Sequence, residues 1–140
     1  MKIYRSFANR LLELLGDAQA LRITCEGYMP LSIERIGKDA EGRELIAISH
    51  TGEQNGDLMR DPEIVFALHQ WPDGLAAEPL SFRNDYMGFM QEVYVYDDAG
   101  KRTHVNTARK AELKSFSSMW FRNLKEQGFF SSDASRERLS

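Results

Sequence analysis

Ile3, Phe7, Leu11 and Leu14 recur at intervals of three and four, and Tyr4, Ala8, Leu12 and Leu15 widen the stripe. That is the period of an amphipathic helix, and the spacing predicts one over residues 2–15. Gly16 ends it, because glycine takes the left-handed conformation past a helix without a Cβ clash. Leu21, Ile23 and Cys25 then alternate with Arg22, Thr24 and Glu26, the period of a half-buried strand. Strand-like runs follow at residues 31–36, 44–49, 63–69 and 89–96, with a weaker one at 79–82. Polar turns separate them at residues 37–42, at Pro72-Asp73-Gly74 and at residues 97–100. From Thr107 the period returns to helical, with Leu113, Phe116, Trp120 and Leu124 in one stripe, capped by Asn106 or Thr107 and stopped at Gly128.

This order predicts an α+β domain over residues 1–130, with an antiparallel sheet of five to six strands and both terminal helices on one face. Its core is expected around Phe7, Leu11, Ile23, Ile48, Phe66, Val93, Phe116 and Trp120. Residues 131–140 hold one large apolar side chain and are expected as a flexible tail. The 140-residue length suits one domain with a core that needs no disulfide. No apolar run approaches the roughly 18–20 residues of a membrane span. The first residues read as an amphipathic helix rather than a signal peptide, and the single Cys25 excludes an internal disulfide, so a cytoplasmic protein is expected.

Charge changes this picture more than composition does. The net charge is −3, yet residues 39–98 carry thirteen carboxylates against Arg43, Arg60 and Arg83, while residues 99–126 carry a net +5. An acidic face suits a basic protein partner, and a basic helix suits nucleic acid.

The polar stretch over residues 50–63 concentrates His50, Glu53, Asp57, Asp61 and Glu63. Connections of this length are often functional. One imidazole among carboxylates admits a divalent cation or an acid–base pair, although the spacing is not that of a calcium loop and no HxxxH or HExxH occurs. A turn at Asn55-Gly56-Asp57, with Asn55 and Asp61 satisfying local amides, is the preferred reading. Neither a metal nor a cofactor is therefore expected. Downstream, Asp85, Tyr86 and Met87 flank Gly88, where tyrosine and methionine suit an adaptable protein surface. On the second helix, Lys110, Lys114, Phe121 and Lys125 project together, as lysines interleaved with an aromatic do in a nucleic-acid contact. A solvated face with lysine stems covering apolar surface is the preferred alternative. No catalytic residues are expected: GxSxG, the phosphate-binding loop, GxGxxG and CxxC are all missing.

Three segments carry a resemblance: EQNGDLM followed by DPE at residues 53–63, the run from Asn84 to Val93 that ends in QEV, and KEQGF at residues 125–129. Together they resemble an uncharacterised domain family found in plasmids, integrative elements and phages, over roughly residues 20–130. The resemblance implies a setting among accessory genes of mobile elements, and no activity. Within that setting the first expectation is a non-enzymatic, anti-CRISPR-like inhibitor of a host defence nuclease or its regulator. It would bind a basic surface through Glu53, Asp57, Asp61, Glu63, Asp85, Tyr86 and Met87. The alternatives are a conjugation or nucleic-acid accessory using the basic helix, and a small metal-dependent enzyme between His50 and Asp61.

Overall fold

The computed structural model describes residues 2–139. Helix α1 spans Lys2–Leu15 and buries Phe7, Ala8, Leu11, Leu14 and Leu15. It ends where the Gly16 amide, at φ 60°, donates to the Leu12 carbonyl. The strands β1 (Ala20–Thr24), β2 (Leu31–Lys38), β3 (Glu44–Gln54), β4 (Asp57–Trp71), β5 (Gly74–Asn84) and β6 (Phe89–Glu92) form a meander. β7 (Tyr94–Tyr96) and β8 (Arg102–Val105) pair as a separate two-stranded ribbon. Helix α2 (Thr107–Glu126) follows, and β9 (Ser135–Arg138) closes the chain.

The sheet has seven antiparallel strands in the order β6-β5-β4-β3-β2-β1-β9, two more than the lower sequence expectation and one more than the upper. The extra strand comes from the segment read as a flexible tail: β9 pairs with β1, Leu21 opposite Arg138 and Thr24 opposite Ser135. All four of its side chains are exposed, so it leaves no apolar alternation to read. Arg136 anchors it by donating to the Phe129 and Ser131 carbonyls at 2.9 and 2.8 Å.

A second difference is the stretch over residues 50–63. It is not an irregular connection but the extended β3–β4 hairpin, paired down to Gln54 opposite Asp57. Asn55 at φ 53° and Gly56 at φ 86° make the tight turn, the left-handed geometry that Asn-Gly supplies. A register shift between Ser49 and Thr51 sets this arm off from the buried part of the sheet. Only its end, residues 53–58, is fully exposed, and that end is polar because nothing packs against it.

The expected core residues are buried together, with Phe116 partly buried against them. Phe7 of α1, Phe66 of β4 and Phe121 of α2 meet at ring centroids 5.6–5.8 Å apart. Asn106 caps α2 by accepting from the Arg109 amide at 2.9 Å. At its other end the Phe129 amide donates to the Leu124 carbonyl, tucking Phe129 into the core beyond Gly128 at φ 96°.

Candidate functional site

Two regions bring chemistry together. The first is the arm and the β5–β6 turn that docks on it. Asp85 accepts from the Arg60 amide at 2.9 Å and from Arg83 Nε at 2.6 Å, and its own amide donates to the Arg60 carbonyl. Asn84 donates to Asp61. Tyr86 lies over the arm: a Cβ at Gly52 would run into its hydroxyl and into Met29 Cε. These bonds hold Tyr86 against the arm at Gly52, while Glu53 and Leu58, the next pair along the ladder, point to the arm's other face, where Leu58 borders a groove with Arg22. Met87 is 77% exposed, and Leu58, Tyr86, Phe89 and Met90 are exposed as well.

The seven residues expected at a protein-binding surface separate here. Asp85 is held among Arg60 and Arg83; burial raises its carboxyl, but the Arg60 amide and the Arg83 guanidinium outweigh this and lower it. Glu63 pairs with Arg60 at 3.1 Å, and its burial outweighs the arginines and raises it. Both serve the docking of turn on arm. Among the described residues, Glu53, Asp57 and Asp61 make no ion pair, and with Tyr86 and Met87 they face outward or lie half-buried at this end. The linear charge count also overstates the field. Arg35, Arg5, Arg102 and Lys110 reach in from outside the acidic segment to pair with Glu44, Asp73 and Glu78.

His50 and Asp61 do not converge on a site. The imidazole Nδ1 lies 3.0 Å from the Met29 carbonyl, the ring packs on Trp120 and Phe129, and burial lowers its proton affinity. Among the described residues, no three His, Cys, Asp or Glu side chains gather to hold a metal. The basic set on α2 is also divided. Phe121, expected exposed, is buried against Phe7 and Phe66, because α1 packs where the helical projection placed solvent. Lys110 turns to Tyr94 and Glu78, leaving Lys114 and Lys125 on the helix surface. Cys25 is half-buried, and burial raises its thiol.

The second region escaped the sequence reading. Glu78 on β5 is 5% exposed yet charged. Tyr94 donates its hydroxyl to Oε2, Lys110 Nζ lies 3.3 Å from the same oxygen, and His69 Nε2 and Arg102 Nη1 lie 3.2 and 3.4 Å from Oε1. Arg102 lies over the Tyr94 ring, 3.9 Å from its centroid. Burial pushes the Glu78 carboxyl up, but the Tyr94 hydroxyl, Arg102 and Lys110 outweigh it and lower it. Burial and the Glu78 bond raise Tyr94. The cluster ties β4, β5, β7, β8 and α2 together. One signal was available: a glutamate inside the apolar run Ala76-Ala77-Glu78-Pro79-Leu80 must be paired to be buried.

A family model described as a domain of unknown function, DUF6908, matches residues 5–130. No curated protein and no solved structure matches. No helix among the described residues is long and apolar enough to cross a membrane.

Proposed function

The chain belongs to the DUF6908 family of domains of unknown function, and we propose that it is a non-enzymatic protein-binding module working through the end of the β3–β4 arm. The supporting observation is an exposed arm end that carries Glu53 and Asp57, without ion pairs among the described residues, and exposed Leu58, with exposed Tyr86 packed on the arm's other face at Gly52. Protein interfaces combine apolar anchors with a polar rim, and tyrosine and methionine are enriched in them. Acidic groups at the rim steer a basic partner and speed its approach. In this reading both helices cover the sheet face of Ile48 and Phe66, and the arm protrudes free of them. The partner is a protein with a basic surface. In a mobile-element setting, an inhibitor of a host defence nuclease or its regulator fits that chemistry, since an acidic protrusion competes with nucleic acid for a basic channel.

The test compares the proteins captured by the wild-type chain with those captured by two variants. One carries Glu53→Lys and Asp57→Lys; the other carries Tyr86→Ala and Met87→Ala. A partner retained by wild type and lost by both variants, with melting temperatures kept, supports the proposal. Partners unchanged by either variant refute it.

A further inference from the structure

The Glu78 cluster forms one wall of a cavity of about 260 Å³ lined by Tyr4, His69, Trp71, Tyr94, Arg102 and Lys110. Two features go beyond a structural ion pair. One carboxylate faces two permanent cations, Arg102 and Lys110, with the His69 imidazole beside them, so the lining carries net positive charge. Arg43, in the β2–β3 loop, also interacts with Glu78, but Asp39 and Glu41 pair with it and offset its charge. Lys110 also has three N–H donors, of which Tyr94 and Glu78 account for two. The carboxylate thus fixes the ammonium while a donor remains for something in the cavity.

The other feature is aromatic. Trp71 is 42% exposed and stacks on His69 at 6.5 Å with the planes 16° apart, an apolar plate beside the cationic wall. Ligand sites characteristically combine such apolar walls with a few placed polar groups, and a volume just below their usual range of roughly 300–1,000 Å³ limits the occupant to a small molecule. We infer that this cavity binds a small planar anion, its carboxylate or phosphate oxygens on Lys110 and its ring beside Trp71. Glu78 and Tyr94 act as positioning residues that hold the ammonium toward it.

Titration of the full chain with benzoate and with phenyl phosphate, by calorimetry and tryptophan fluorescence, tests this and separates the two anion classes. Saturable binding of either is expected. Lys110→Met should weaken it by about tenfold, the loss of about 1.4 kcal/mol of contact. Lys110 also bonds within the fold, so Trp71→Leu serves as a second variant that removes only the stacking partner of His69 and keeps Glu78, Tyr94, Arg102 and Lys110 in place; it should weaken binding without changing the melting temperature. Failure of wild type to bind either anion at millimolar concentration overturns the inference, as does binding that Trp71→Leu leaves unchanged.

Discussion

Ser117 and Glu78 are both buried polar residues on packed elements, and they differ in how they are satisfied. The Ser117 hydroxyl finds no hydrogen-bond partner among the described residues, whereas Glu78 has four neighbours. A buried unpaired hydroxyl is unfavourable, and alanine is the better helix former. Ser117→Ala should therefore raise stability, by about 1 kcal/mol in chemical denaturation. Glu78→Gln should do the opposite at neutral pH, costing about 2–3 kcal/mol by weakening charge-assisted hydrogen bonds. The sign of its pH dependence follows from the lowered carboxyl. Stability is present above the ordinary glutamate value of 4.5 and is lost as pH falls through the lower folded value. The gap between wild type and Glu78→Gln should narrow below pH 4.5, as followed by melting temperature. Asp39 and Asp85 are also lowered, but they are common to both proteins and drop out of the difference.

At the scale of elements, β9 carries the clearest expectation. Deleting residues 134–140 should leave the fold intact while lowering its melting temperature, and β1 amides should lose hydrogen-exchange protection as β1 becomes an unpaired edge. If the deletion changes neither, β9 contributes nothing to the sheet. Such elements also show what the sequence conveys. The stripe of α1 and the alternation of β1 are legible because one side of each faces the core, and apolar spacing records that asymmetry. The end of the arm and β9 are illegible because both their faces meet water, so pairing is written in backbone hydrogen bonds alone. Only Asn55-Gly56 betrays the arm, through its turn chemistry. Phe121 lies on the side of α2 that the helical projection leaves to solvent, because covering by α1 is a tertiary contact that the spacing of one helix does not record. The Glu78 cluster draws on residues from position 69 to position 110, a convergence that no local window contains.

For the whole molecule, the division of charge along the chain does not survive folding as a uniform acidic face. Pairing by Arg5, Arg35, Arg60, Arg83, Arg102 and Lys110 removes much of it and leaves Glu53, Asp57 and Asp61 at the arm. The proposed binding surface is therefore one end of the molecule and not a field set by net charge. The direct test is a photo-crosslinking amino acid placed at position 87, compared with the same group at exposed position 122 on α2, in cells carrying the protein. The account predicts a discrete crosslinked protein from position 87, absent from position 122 and lost when Asp57→Lys is added. Crosslinks to nucleic acid from position 122, with none from position 87, would contradict it.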